Sequence, residues 1–408
     1  MRKPILIAAT ALTVLTPAIR ANAATTWTVC AVGCNSTTIQ GAINMASNGD
    51  TIQVAAGTYP ESVNVNKTLT LLGAQANNDA RTRSGAPATE SVVNGANPFA
   101  FNANNIVLNG FTVQGSTNTG LVAGIWTNPS TGQGHKILNN IVQNNVVGVY
   151  LNGANNVVQF NLFRNNNTPG SASGNGIYSD LGLSNTLIDN NAFSNNTNAA
   201  AVITSTPTGP TSTNLTISNN TADNSFALGK TTSSTITRNT VTNSPGSGIS
   251  LFGGDVGITI TCNTLQNGSI GINVSDPFGF GPNANVVAHQ NNIVGNSIAG
   301  LQVVPGSHTG TLDATRNWWG SASGPIPTGT GNAVVGDASY IPFLTSPANC
   351  NGPGPGPGRG GRPERGMPRP GTGPGPGRAF LTQHNVQGNT NTAAQHNTNR
   401  AAQPQSAQ

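Results

Sequence analysis

Asp255, Asp276 and His308 are the side chains in this sequence best suited to acid–base or cation chemistry, and Phe278 and Phe280 stand beside them. They occur in "GGDVG", "SDPFGFGPN" and "PGSHTG", and Asp180 sits in a comparable loop, "SDLG". Two neighbouring carboxylates share a cation or divide into an acid and a base. An imidazole adds a second proton carrier, and aromatic rings add a flat apolar platform. Such a group suits a carbohydrate ligand, with Ca2+ as the candidate ion and no other cofactor required. The competing reading is that these are plain turns, since Asp-Pro and Gly-Gly-Asp are ordinary turn sequences. Arg164 and Asp223 fall two repeats apart on another column, about 10 Å by the strand spacing, too far for a direct pair. No catalytic residue and no metal ligand is assigned from the sequence.

The elements that would carry these loops come from a repeat. An Asn-x-apolar-x-Asn motif recurs as "NIVQN" (Asn140–Asn144), "NLFRN" (Asn161–Asn165), "NAFSN" (Asn191–Asn195), "NTADN" (Asn220–Asn224), "NTVTN" (Asn239–Asn243), "NTLQN" (Asn263–Asn267) and "NIVGN" (Asn292–Asn296). "NWWGS" at Asn317–Ser321 ends the series. A Gly followed by alternating apolar residues accompanies the copies: "GIWT" at Gly124, "GVYL" at Gly148, "GIYS" at Gly176, "GISL" at Gly248, "GINV" at Gly271 and "GLQV" at Gly300. A β-branched residue stands three before most of the first asparagines, as at Ile137, Val158, Ile188 and Ile217. Each repeat therefore reads as short period-two strands separated by turns. No such strand buries its apolar side alone, but stacked repeats bury all of them.

Parallel stacking sets equal positions about 4.8 Å apart. The first asparagines, Asn140, Asn161, Asn191, Asn220, Asn239, Asn263, Asn292 and Asn317, then form a ladder of amides bonding from coil to coil. Trp318 and Trp319 follow the last rung and are expected to plug the open end. Upstream, Ser36 or Thr37 is expected to cap a short helix whose apolar face is Ile39, Ala42, Ile43 and Ala46, covering the other end.

With these segments in hand, the chain resembles the right-handed parallel β-helix proteins of the pectin lyase-like superfamily. Three stretches carry the likeness: "TIQGAINMASNGDTIQVAAGTYPESVNVNKTLTLLG" (Thr38–Gly73), the Asn motifs, and "NWWGSASGP". It covers roughly residues 37–344. The resemblance implies a single all-β solenoid, and a choice between polysaccharide lyases, hydrolases, esterases, epimerases and proteins with no known reaction. The catalytic patterns of its lyases and esterases are not matched, so no residue role carries over.

Composition fits a β-rich chain with many turns. Charged residues are 7% of the sequence, against about 25% in an average domain. The formal net charge of +5 is misleading. Three of its cations, Arg2, Lys3 and Arg20, lie in the leader, and six arginines lie beyond residue 350. The part between holds eight Lys/Arg against eleven Asp/Glu. No basic groove for nucleic acid is evident.

Residues 1–23 read as a cleaved signal peptide, with Arg2 and Lys3, the apolar Ile5–Leu15, and "ANA" at Ala21–Ala23. The apolar run is too short to span a bilayer. Residues 24–100 are assigned to the cap and first coils, 101–350 to the repeats and Trp plug, and 351–408 to a disordered Pro/Gly-rich and polar tail. In an exported chain the four cysteines read as disulfides, with Cys30–Cys34 and Cys262–Cys350 the favoured pairs. Zinc is the rival, but no histidine lies near Cys30 or Cys34.

The expected function is a secreted, periplasmic or cell-surface β-helix that binds a polysaccharide or surface glycan without catalysis. The alternative is a polysaccharide-active lyase, hydrolase or epimerase.

Overall fold

The computed structural model describes residues 23–120 and 122–350. Of the signal peptide read at residues 1–23 all but Ala23 falls outside the described residues, as does the disordered tail read at 351–408. Within them, strands of two to five residues run around each coil and pair in parallel with the same strand of the next. Three walls result. The first has 13 strands, from Thr26–Val29 to Ala338–Ser339; the second has 10, from Gly57–Tyr59 to Asn292–Val294; the third has 11, from Val63–Val65 to Val334–Val335. The chain is a parallel β-helix, as the repeat predicts. The solenoid lies within a unit ending at Ala348; of the second unit, Asn349–Gln408, only Asn349 and Cys350 are described.

Period-two alternation fills the interior. On the first wall Ile137, Val158, Ile188, Ile217, Ile236 and Ile260 stack in register and are buried. Ile125, Val149, Ile177, Ala201, Phe226 and Ile249 do the same on the third. Side-chain volumes compensate within coils. The coil with Phe193 on the second wall carries Ala201 on the third, whereas the next pairs Ala222 with Phe226. A close-packed core requires that kind of exchange. The glycines of the "GVYL" and "GINV" motifs have a steric cause: a Cβ at Gly148 or Gly271 would strike the carbonyl of Gly176 or Gly300 on the next coil.

The asparagine ladder turns the chain from the first wall to the second. A single left-handed residue makes each turn, such as Asn139 (φ 54°), Arg238 (φ 55°) or Cys262 (φ 59°), and the rung follows it. The rungs are Asn140, Asn161, Asn191, Asn220, Asn239, Asn263, Asn291 and Asn317, all at most 1% exposed. One expected rung is therefore corrected: Asn291 takes the place assigned to Asn292. In "QNNIVGN" the left-handed residues are Gln290 and Gly295, so the true frame begins one residue earlier. Asn292 instead faces outward and holds the Ala348 backbone through 2.8 and 3.2 Å bonds. A second ladder, not expected from sequence, links Asn145, Asn166 and Asn196 at the next corner, with side-chain bonds of 3.0 Å.

The ends are closed by different means. The helix α1 (Ile39–Met45) buries Ile39, Ala42 and Ile43 as expected, but its N-cap is Thr38 rather than Ser36 or Thr37. Thr38 accepts from the Gly41 amide at 3.1 Å, while Ser36 serves the turn before it. Glu61 accepts from the first two helical amides, and Lys67 donates to three carbonyls at the other end, Ile43, Asn44 and Ala46. At the C-terminal end only one indole is a plug. Trp319 is 1% exposed, whereas Trp318 next to it, bridged singly to Asn292, is only partly buried. Tyr340 and Phe343 complete the cover. Cys30 and Cys34 are bonded to each other; Cys262 and Cys350 are each disulfide-bonded, and no described cysteine is free.

Candidate functional site

The loops singled out from sequence all leave the third wall at the corner leading to the next coil's first wall. They do not act as one group. Asp255 is fully buried, so it offers nothing to a ligand in solvent. Its Oδ1 accepts from the Thr231 amide of the preceding coil at 2.9 Å, and its own amide donates to Asn283 of the next at 3.2 Å. It is a rung of a third ladder. Burial pushes its carboxyl up to about 8, against the pull of hydrogen bonds such as that from Thr231, so it is largely protonated at neutral pH.

Asp276, Phe278 and Phe280 do come together. Both Asp276 oxygens accept backbone amides, from Phe280 at 2.8 Å and Gly281 at 3.0 Å. The loop is thereby clamped with Phe278 half exposed at its tip. Phe252, which sequence reasoning passed over, completes a three-ring cluster with centroids 5.6–6.2 Å apart. His308 belongs to the following coil, where its register partner is Asn283. Its Nδ1 donates to the Gly310 carbonyl at 2.7 Å. Arg164 and Asp223 are held by separate partners: Arg164 by Gln143 and the Ser84 carbonyl, Asp223 by the Asn195 amide.

A second aromatic group on the same wall escaped the sequence reading. Trp126, Tyr150 and Tyr178 share one outward column of the third wall in strict register. All three are partly exposed and rest on buried Ala123, Val146 and Val147. The two phenol rings meet edge to face at 5.4 Å. Tyr150 donates its hydroxyl to Asp180, which closes the column. Burial, and then the Asp180 carboxylate, hold both phenols well above the usual tyrosine range, so they stay protonated. Beyond Asp180 a shallow cleft of about 210 Å3 continues around the corner, lined by Leu181, Pro129 and Pro210 among others. The signal was present in sequence. "GIWT", "GVYL" and "GIYS" each place an aromatic two after the glycine, a position that period two sends outward.

Two further polar groups complete the inventory. On the first wall His289 Nε2 lies 2.9 Å from Asp313 Oδ1, and the Thr315 hydroxyl touches both. Burial works against the Asp313 charge, but bonds from His289 and Thr315 outweigh it and hold the carboxyl below its ordinary value. Under the loop that covers the second wall, Arg83 and Glu90 form a buried pair at 3.2 Å, with Thr112 also donating to Glu90. Being enclosed, that pair reads as structural. Among the described residues no three His, Cys, Asp or Glu side chains converge as a metal-binding group.

Repeat, walls and ladders define a class, and comparison with known families agrees. The chain belongs to the right-handed beta helix family, whose pattern it matches over residues 99–265 and, overlapping, 171–318. Among solved structures it is similar to an alginate lyase from Paenibacillus sp. str. FPU-7, at 13% identity and a TM-score of 0.49, covering 78% of this chain and 99% of that one. It is also similar to the A-module of a mannuronan C-5 epimerase from Azotobacter vinelandii, at 13% identity and a TM-score of 0.32, covering 74% and 94%. No curated protein matches the sequence.

Proposed function

We propose that this protein is a secreted or surface-attached β-helix that binds an extended glycan along its third wall without chemically altering it. The aromatic column Trp126, Tyr150, Tyr178, ending on Asp180, carries the reading. Ring faces stack on the apolar faces of sugars, while phenol and carboxylate oxygens take their hydroxyls. The Phe278–Phe280 loop with Asp276 supplies a second contact on the same edge. Four coil steps separate Tyr178 from Asn273, the outward residue just before that loop, or about 19 Å along the axis. A chain lying parallel to the axis would meet both. Export is supported by the leader sequence and by disulfide bonding, and no described helix is long and apolar enough to cross a membrane.

A polysaccharide-active enzyme is the second reading, and the partly exposed His289–Asp313 pair favours it, since it offers a base beside a carboxylate. One experiment separates the two. Affinity electrophoresis in gels containing pectate, alginate, xylan or β-glucan is run beside an assay for reducing ends and unsaturated products. The expected result is retardation that Trp126→Ala and Tyr178→Ala reduce, with no product. Product formation lost in His289→Ala would establish the enzyme instead.

A further inference from the structure

We infer that the glycan taken by this edge is electrically neutral, and that the edge is built to turn away polyuronates and other anionic chains. The inference rests on the binding reading above and concerns which class of polymer fits it. The outward column of the third wall continues from Trp126 through Tyr150, Tyr178, Val202, Ala227, Ser250, Asn273 and Gln302 to Val335. None is charged. The acidic groups that flank them in partly exposed positions are Asp180, beside Tyr178, and Asp276, beyond Asn273.

Lys230 is the one lysine or arginine among the described residues of this wall and its corner from Trp126 to Gly310. Its ammonium is already spent. It donates to the carbonyls of Thr206, Pro207 and Gly209 at 2.8–2.9 Å, which uses all three of its N–H groups. Among the described residues of this wall and corner, no cation is left free to neutralise a ligand carboxylate.

The polar end of the column is also one-sided in hydrogen bonding. Tyr150 commits its proton to Asp180, so what its hydroxyl and that carboxylate offer a ligand is lone pairs. A neutral sugar brings hydroxyl donors to those acceptors. A uronate brings another acceptor carrying negative charge, and its desolvation beside Asp180 goes uncompensated. Selection against the wrong polymer therefore comes from an unpaired like charge, and attraction for the right one from stacking.

The test is calorimetric titration of the full chain with neutral oligosaccharides (xylo-, cello- and manno-oligosaccharides) and with oligogalacturonate and oligoalginate, at low and moderate salt. Binding of at least one neutral series and no heat from the acidic ones is expected. Tyr178→Ala should weaken the neutral ligand about tenfold, the equivalent of one lost aromatic contact. Asp180→Asn is nearly isosteric and should admit the acidic oligosaccharides, with their affinity rising at least about tenfold relative to wild type. If an acidic series binds wild type more tightly than any neutral one and Tyr178→Ala abolishes it, the site stands and neutrality is wrong. If neither class binds, the glycan reading itself fails and this inference with it. Should Tyr178→Ala lower the melting temperature sharply, Phe278→Ser at the exposed loop tip gives the same readout from the other end.

Discussion

At the corner between the first and second walls, every coil from Asn140 to Asn317 hands the same amide to the next. At the corner between the third wall and the following first wall, the equivalent column runs through Gly153, Leu183, Ser212, Thr231, Asp255 and Asn283. The first column satisfies itself. Asn161, for example, donates from both its backbone and its side chain to Asn191 Oδ1, and from Nδ2 also to the Ile137 carbonyl, all within 2.8–3.0 Å. The mixed column and its neighbours leave Thr131 Oγ1, Asn152 Oδ1, Ser179 Oγ, Ser205 Oγ and Asp255 Oδ2 buried without a hydrogen-bond partner. Burying polar groups is stabilising only when each has a partner. An identical residue repeated in register guarantees that; a medley does not. The uneven corner is also the one whose loops vary in length and carry the proposed binding edge, as is common where function sits on a rigid scaffold.

The largest expected effect removes the worst misfit. Asp255 does with Oδ1 what a ladder asparagine does, but its Oδ2 stands where an amide would donate. Asn283, one coil on, shows the remedy: its Nδ2 reaches the Ser275 and Ser307 carbonyls at 3.0 and 2.8 Å. The Asp255 value of about 8 in the folded chain lies above an unfolded value of about 3.9. Its contribution is therefore complete below pH ~4 and is lost as pH rises through 8, by up to about 5 kcal/mol. Asp255→Asn should abolish that alkaline loss in urea melts taken at pH 6 and pH 9. An unchanged slope would mean that the carboxyl is already ionised in the folded protein.

Breaking the orderly corner should cost about 3–4 kcal/mol, since low dielectric and mutual polarisation make each rung expensive to lose. Asn220→Ala deprives the Asn191 backbone and side-chain N–H groups of their acceptor, and the Ile188 carbonyl and Asn239 of a donor. Denaturant unfolding monitored by circular dichroism measures it. A loss below about 1 kcal/mol would show that coils relax around a missing rung.

His135 gives the acid-side counterpart. Burial pushes its imidazole down to about 4, with the Thr131 carbonyl working in the opposite direction. Nδ1 accepts from the Ile106 amide, so the proton sits on Nε2. A value depressed from about 6.5 means stability present above that pH and lost as pH falls toward 4, about 3 kcal/mol in all. Between pH ~4 and ~6.5 this slope and that of Asp255 oppose each other, so wild type should be nearly flat there. It should then lose stability between pH ~6.5 and ~8. His135→Gln keeps an acceptor for Ile106 and should turn the flat part into a decline with rising pH.

The contrast also explains what the sequence could reveal. Identical residues in an identical short motif announce themselves even when the interval varies from 19 to 30 residues, so the walls and the first ladder were legible from the Asn motifs and the β-branched residues before them. The frame slipped at Asn292 because that residue completes the motif with Asn296, whereas from Asn291 the motif closes on Gly295; the left-handed position held by Gly295 shows that the glycine stands in for the second asparagine. The mixed corner was not legible, since Ser212, Thr231, Asp255 and Asn283 share a position but no chemistry, and Asp255 looked like a ligand rather than a rung. The aromatic column was hidden for another reason. Trp126, Tyr150 and Tyr178 fill apolar places in the Gly motif, and whether such a place faces in or out depends on strand register, which the spacing of the Gly motif indicates only indirectly.

The smallest effect tests whether the uneven corner is merely tolerated. Ser179 points into the solenoid in register between Leu151 and Ile203, and its hydroxyl has no partner among the protein groups around it. An unpaired hydroxyl in an apolar setting is a liability of about 1 kcal/mol. Ser179→Ala removes it without adding volume, so overpacking does not enter. The variant should therefore gain about 1 kcal/mol in denaturant melts. Ser179 lies between Tyr178 and Asp180 in the chain, yet its side chain faces the opposite way. Glycan binding should accordingly be unchanged, which separates the inside of this strand from its outside. A loss of stability would show that the hydroxyl is satisfied by buried water, and that the mixed corner is a hydrated seam rather than a set of defects.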